Sequence, residues 1–136
     1  MISETRLINA DTTAYIKTLP DNSVDLIATD PPYFRVKSCD WDNQWKNEAE
    51  YLAWLDALLV EFWRVLKPNG SLYMFCGSRL ASDTELLVRQ RFDVLSHIVW
   101  AKPSGAWKRQ HKEGLRAFFP STERIIFAGH YAGPLQ

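Results

Sequence analysis

Apolar residues along this chain change their spacing in a regular way, and the spacing predicts alternating strands and helices. Leu7 and Ile8 lie in a short run, 6–9, that predicts a first strand. Asp11 or Thr12 then opens a short helix through Leu19, which Pro20 stops because proline cannot continue a helix. Asp21-Asn22-Ser23 is a turn cluster. Val24 to Thr29 follows as a buried strand, with Val24, Leu26, Ile27 and Ala28 in near-continuous succession. Residues 31–46 show neither period. Asn47 followed by Glu50 is a helix start of the capping-box type. Leu52, Leu55, Leu59, Phe62 and Leu66 then recur at helical spacing, and Pro68-Asn69-Gly70 is expected to end that helix. Ser71 to Cys76 predicts a buried strand, and Ser82 to Arg91 a second helix with Leu86 and Leu87 on its apolar side. Val94 to Ala101 reads as a strand, 102–119 as a loop, and Thr122 to Ala128 as a last strand.

Strands alternating with helices imply an α/β fold: a mostly parallel sheet with helices on both faces. In such sheets ligands bind beyond the carboxyl ends of the strands. That rule selects the residues to weigh: Asn9 to Asp11, Asp30 to Tyr33, Cys76 to Arg79, and Lys102 onward.

Composition narrows the picture. At 136 residues and 46% apolar, the chain is one domain with a real core rather than a disordered segment. Its formal net charge is zero, so contact with nucleic acid must come from local patches, and a simple DNA-coating protein is disfavoured. Cys39 and Cys76 are the only cysteines and form no CxxC pair, which predicts a reduced cytoplasmic protein without a zinc or other metal site. No apolar run approaches the roughly 20 residues of a membrane span, and no signal-peptide pattern opens the chain.

Asp30-Pro31-Pro32-Tyr33 carries the clearest chemistry. Two prolines fix their φ near −65° and lack an N–H, and each pushes the residue before it into extended geometry. The turn is therefore stiff and aims the Asp30 side chain and the Pro31 carbonyl at one spot. Two converging acceptors suit an exocyclic NH2 group, which offers two donors. Holding the amine this way favours a pyramidal nitrogen whose lone pair is free to attack a methyl donor. Tyr33 presents a flat face for a base, and a base reached in this way must first be flipped from its duplex. The plain reading is a strand-stopping loop with a rim aromatic. The apolar strand Val24 to Thr29 directly before it favours the chemical reading.

These segments resemble the beta-class DNA amino-methyltransferases. The resemblance rests on Asn9-Ala10-Asp11, on Leu19-Pro20-Asp21-Asn22-Ser23 leading through Val24–Thr29 into Asp30-Pro31-Pro32-Tyr33, on Arg64-Val65-Leu66-Lys67-Pro68-Asn69-Gly70-Ser71-Leu72-Tyr73, and on Ile98-Val99-Trp100-Ala101-Lys102-Pro103. As a whole the chain is similar to adenine methyltransferases of bacteriophages and prophages of enteric bacteria. The resemblance implies a Rossmann-like methyltransferase fold and S-adenosylmethionine as cofactor. It implies DNA as partner, with methyl transfer to adenine N6, because the Asp-first tetrapeptide is typical of adenine enzymes and a Ser-first form of cytosine-N4 enzymes. On the resemblance, Asp30, Pro31, Pro32 and Tyr33 are the catalytic residues. Asp11, beside the donor's adenine, and Asp30 face the cofactor. The alternative for Asp11 is a helix cap, and one residue can do both.

Basic residues fall in two places. Arg35 and Lys37 lie among Phe34, Trp41 and Trp45, a mixture suited to bases and phosphates, although at least one tryptophan is expected to pack back on the fold. Lys102, Lys108, Arg109, Lys112 and Arg116 form the one strongly basic stretch and are expected to contact DNA phosphates. Glu123 is expected to be structural, pairing with Arg124 or Arg79.

The family also carries a Phe-x-Gly-x-Gly loop and a ribose-binding acid in a later, cofactor half. No GxG occurs among Gly70, Gly77, Gly105, Gly114, Gly129 and Gly133. Residues 1–136 are therefore expected to form the N-terminal, tetrapeptide-containing half of a methyltransferase domain. The rival expectation is a non-catalytic DNA-binding or subunit-interaction module, or a cytosine-N4 enzyme. A sheet edge left open favours pairing, and hence a homodimer.

Overall fold

The computed structural model describes residues 3–34, 44–102 and 121–130. A one-turn helix, α1 (Thr12–Tyr15), continues as a 3-10 turn at Ile16–Thr18 and leads to β1 (Val24–Thr29). After it come α2 (Glu48–Val65), β2 (Leu66–Gly77), α3 (Ala81–Arg89), β3 (Phe92–Ala101) and β4 (Thr122–His130). The expected run 6–9 forms no strand; Leu7 is 97% exposed, with no neighbouring strand to bury it among the described residues.

The strands form one sheet in the order β1-β2-β4-β3. β1 pairs parallel with β2, whereas β4 runs antiparallel to both β2 and β3. The sheet is thus mixed where the alternation of elements led us to expect mostly parallel pairing. The cause is that β4 follows β3 as its antiparallel neighbour instead of crossing over a helix.

Helix α2 begins as its sequence dictates. The Asn47 side chain accepts from the Glu50 N–H at 2.8 Å, which satisfies one free donor of the first turn. Tyr51, Leu55, Leu58, Leu59, Phe62 and Val65 line its buried stripe. They pack on Leu72, Met74, Cys76, Ile126 and Ala128, the alternate residues of β2 and β4 that point to the same side. Among the described residues the helices cover this face of the sheet. The opposite face holds Tyr73 stacked on Phe127 with centroids 4.5 Å apart, and Phe75 edge-on to Trp100. It also leaves Leu26 56% exposed and Trp100 46% exposed.

Pro68-Asn69-Gly70 does not end α2 as expected. The helix stops at Val65, and the chain turns directly into β2 at Leu66. Val24 pairs with Leu66 and Leu26 with Ser71, so Lys67 to Gly70 form a bulge opposite β1. The bulge gives Pro68, which has no N–H to lend a ladder, a tolerated place in a strand. Gly70 is where the bulge closes: a Cβ there would lie 2.6 Å from Leu66 Cδ1 and 3.0 Å from the Asp25 carbonyl oxygen. Leu66 is fully buried and cannot swing away. Gly70→Ala is accordingly expected to cost about 1–3 kcal/mol in urea unfolding. An unchanged midpoint would show that the bulge yields.

The turn before β1 is tied to the end of α2. Arg64 donates through its guanidinium to the carbonyls of Ile16 and Leu19 and to Asp21, and Asn22 and Ser23 donate their N–H groups to the carbonyls of Arg64 and Val65. Asn22 holds a positive φ of 51°, a conformation asparagine tolerates better than most residues. This clamp fixes the start of β1, and so fixes where its carboxyl end delivers Asp30.

Candidate active site

Four strand ends meet at one edge of the sheet. β1 ends at Thr29 and β2 at Gly77, while β3 ends at Ala101 and β4, running the other way, begins at Thr122. Gly77, Glu123 and Trp100 lie in one row across the three paired strands. Asp30, Pro31, Pro32 and Tyr33 leave this edge from β1.

The turn is held from behind. Tyr51, on the first turns of α2, donates its hydroxyl to the Pro32 carbonyl at 2.9 Å. Its ring belongs to an aromatic group with Phe34, Trp45 and Trp54, in which Trp45 meets Tyr51 edge-on at 4.8 Å. Trp45 is 5% exposed, so it packs into the core, as expected of at least one tryptophan in this region. Pro31 is buried while Asp30 is exposed, so the turn is gripped by its prolines and offers its carboxylate to solvent.

Asp11 and Asp30 line a common cavity of about 220 Å³ with Thr29, Pro31, Pro32 and Trp54. The structure thus brings together the two acidic residues that the sequence placed beside the cofactor. Asp11 also caps α1: its Oδ1 accepts from the Thr13 N–H at 2.8 Å and from the Thr13 hydroxyl. The Thr13 hydroxyl, and after it the Thr13 N–H, hold the Asp11 carboxyl below its usual range. The hydrogen bonds from Thr13 both go to Oδ1, and the carboxyl stays exposed to a ligand donor. A larger cavity of about 400 Å³, lined by Val60, Trp63, Gln90 and Arg91, holds none of the expected site residues.

Tyr33 is held by an acid from another strand. Its hydroxyl lies 3.3 Å from Glu123 Oε1. Burial, then the Asp30 carboxylate, then that of Glu123 push the hydroxyl well above the ordinary tyrosine range, so it stays protonated. The other oxygen of Glu123 is 2.6 Å from Lys102 Nζ, and that ammonium also sits 4.9 Å from the centre of the Trp100 ring. Glu123 therefore pairs with Lys102, while Arg79 pairs with Glu48 at 3.2 Å. Sequence reasoning passed over Tyr51 and gave Glu123 only a structural pairing with Arg124 or Arg79, whereas it pairs with Lys102 and reaches Tyr33. Tyr51 reads as an ordinary aromatic on a helix stripe. Glu123 opens a strand, and only the antiparallel direction of β4 brings it to the edge where the other strands end.

Of the expected DNA-contacting residues, Lys102 stands at this edge. Arg35, Lys37, Lys108, Arg109, Lys112 and Arg116 lie outside the described residues. No group of metal-ligating side chains occurs among the described residues, and no described helix is long and apolar enough to cross a membrane.

Cys76 faces the core, and burial pushes its thiol up to about 12 from an ordinary 9.0. Because the neutral form is favoured in the fold, its contribution to stability is whole below pH 9.0 and is lost as pH rises from there toward 12. In a Cys39→Ser chain at pH 8, native Cys76 is expected to react with a thiol reagent roughly 10³-fold more slowly than after denaturation. Equal rates would show the thiol to be open to solvent.

The chain's likenesses agree with this geometry. The N6/N4 methyltransferase family model, described as DNA methylase, matches residues 24–130. The chain is 36% identical over 107 residues to the DNA adenine methyltransferase YhdJ of Escherichia coli K12, a match covering 77% of this chain and 36% of that protein. It is 35% identical over 123 residues to the type II methyltransferase M.HpaI of Haemophilus parainfluenzae, covering 89% of this chain and 37% of that one. Among solved structures, the DNA modification methylase TTHA0409 of Thermus thermophilus superposes with a TM-score of 0.67 at 26% identity, over 93% of this chain and 53% of its own. The cytosine-N4-specific PvuII DNA methyltransferase superposes with a TM-score of 0.69 at 18% identity, over 88% of this chain and 47% of its own, a likeness of fold alone. The chain thus spans about a third of the length of these curated relatives. The fold is a partial Rossmann-like methyltransferase fold.

Proposed function

The chain belongs to the DNA methylase family of N6 and N4 methyltransferases, and from that premise we propose that it forms the base-binding side of a DNA methyltransferase acting on adenine N6. The observation that carries this reading is the Asp30 turn. It stands at the strand edge, is gripped through Pro32 by Tyr51, and shares a cavity with Asp11. The choice of adenine over cytosine rests on the Asp-first tetrapeptide and on likeness to a relative named as an adenine methyltransferase.

S-adenosylmethionine, the proposed methyl donor, supplies an electrophilic methyl group when bound. Asp11 fits one end of such a donor, since its carboxyl is exposed and Asp11 lines the cavity shared with Asp30. This chain's own residues handle the acceptor. The Asp30 carboxylate and the Pro31 carbonyl accept the two N–H bonds of the flipped adenine's amine, while the Tyr33 ring stacks on the base. Neither cysteine takes part. The rate advantage is positional and electrostatic. Lys102, with Arg35, Lys37, Lys108, Arg109, Lys112 and Arg116, supplies the phosphate contacts. The basic charges make binding weaken steeply with salt.

The test is methyl transfer from labelled S-adenosylmethionine to defined oligonucleotides, followed by mass spectrometry of the nucleosides. N6-methyladenine is the expected product. N4-methylcytosine would move the acceptor to cytosine. DNA binding with no methylated product, and no calorimetric binding of the donor, would instead establish the rival reading of a non-catalytic DNA-binding module.

A further inference from the structure

We propose that Glu123 is a positioning residue of this site: it accepts the hydrogen bond of the Tyr33 hydroxyl and so keeps Asp30 free to accept the substrate amine. The inference rests on the methyltransferase reading above. A tyrosine hydroxyl has one proton to donate. The hydrogen bond in the structure goes to Glu123 at the start of β4, at 3.3 Å, and the Asp30 carboxylate, from the same turn as Tyr33 and felt at its hydroxyl, is the acceptor that competes with it. Each outcome of that competition has a different chemical consequence. A hydroxyl turned toward Asp30 occupies an acceptor that the amine needs. Turned toward Glu123, it leaves both Asp30 oxygens open and sets the plane of the Tyr33 ring.

The surroundings of Glu123 favour the second outcome. Its Oε2 is bound to Lys102 Nζ at 2.6 Å, so the carboxylate is held in place. Lys102 is itself braced over Trp100 at 4.9 Å, and Trp100 pairs with Glu123 across the β3–β4 ladder. Oε1 is then left aimed at Tyr33 at 3.3 Å. A side chain 90 positions away in sequence thus fixes the base platform. The same carboxylate joins that platform to Lys102, the one described residue of the basic stretch, so engagement of Lys102 by a DNA phosphate would be felt at Tyr33.

Three variants separate the roles of Glu123. Glu123→Ala removes both contacts. Glu123→Gln keeps a carbonyl oxygen for the Tyr33 hydroxyl but discards the charge that holds Lys102. Tyr33→Phe keeps the stacking ring and removes the hydroxyl. Methyl transfer is expected to show kcat about tenfold lower or worse in Glu123→Ala, with KM for the oligonucleotide little changed, because loss of alignment falls on the chemical step. Glu123→Gln is expected to restore most of that loss. The double variant Tyr33→Phe/Glu123→Ala is expected to be no worse than Glu123→Ala alone, the mark of residues acting through one contact. Gln as poor as Ala, or losses that multiply in the double variant, would overturn the proposal in favour of a purely structural Lys102–Glu123 pair. A second readout needs no turnover. With ring-labelled tyrosine and no DNA, the Tyr33 carbon signal should move in Glu123→Ala and return in Glu123→Gln. An unmoved signal overturns the proposal. A wild-type protein that methylates nothing yet shows the shift would defeat the methyltransferase reading and leave the positioning contact standing.

Discussion

Replacing Asp30 with alanine is expected to reduce methyl transfer by a factor on the order of 10² to 10³, the size typical of losing one preorganised polar group at a reacting centre, while affinity for DNA stays within a few-fold. The separation follows from where the carboxylate stands. Asp30 is exposed at the strand edge and contributes nothing to the buried core, so the fold does not depend on it. The turn's geometry is kept by Pro31 and Pro32 and by the bond from Tyr51 to the Pro32 carbonyl, none of which the substitution touches. The proposed phosphate contacts, which would carry most of the DNA affinity, involve other residues. Asp30→Asn is the sharper variant, because it keeps the shape and one acceptor but presents an NH2 to an amine that itself only donates. Turnover in Asp30→Ala near the wild-type rate would defeat the clamp model. A parallel loss of DNA affinity would instead make Asp30 a binding group.

The largest effect on stability is expected at Leu59. It is fully buried at the middle of the α2 stripe, against the covered face of the sheet. Leu59→Ala removes three carbons from a site whose neighbours, Leu55, Phe62, Leu72 and Met74, are themselves almost completely enclosed and cannot close the gap. The expected cost is about 3–5 kcal/mol, a large part of the roughly 5–15 kcal/mol that typically separates a folded domain from its unfolded chain. The matched control is Leu86→Ala on α3. Leu86 is 63% exposed, so its removal is expected to change stability by less than about 0.5 kcal/mol. Urea melts of the two variants give the comparison. Similar losses at both sites would mean that the exposed face of α3 is covered in solution.

What the sequence made legible and what it hid divide along a physical line. The α2 stripe, the β1 run and the body of α3 rest on periodicity within one segment, and the structure places their bounds within a few residues of expectation, although β1, expected to be buried, leaves Leu26 exposed, and Leu86, expected on the apolar side of α3, is exposed as well. The Asp30 turn is likewise local, because two prolines and an acid at a strand end carry their own geometry. Pairing direction is not local. Nothing in Thr122 to Ala128 says whether the strand runs with or against its neighbours, and so the antiparallel placement of β4 could not be read. The contacts of Tyr51 and Glu123 with the turn escaped for the same reason, since those partners lie 19 and 90 positions away. The α2–β2 junction was misread because Pro-Asn-Gly signals a stop in either context. Here it stops a ladder register, by bulging, rather than a helix.

The reversed direction of β4 has a consequence for how new specificity can arise. Because β3 runs up to the site edge and β4 runs back from it, the connection between them starts and finishes at that edge, and its two ends are latched by the Lys102 N–H donating to the Ser121 carbonyl at 2.9 Å. Residues 103–120 are a cassette in the sense that the two points attaching them are set by the β3–β4 ladder and this bond. Lengthening such a cassette twofold adds only about 0.6 kcal/mol of closure entropy, and no register of the sheet has to change. Exchange of the cassette is therefore expected to leave Asp30, Tyr51 and Glu123 in their places. The proposed catalytic edge would then serve as a frame beside which the segment proposed to face DNA can vary.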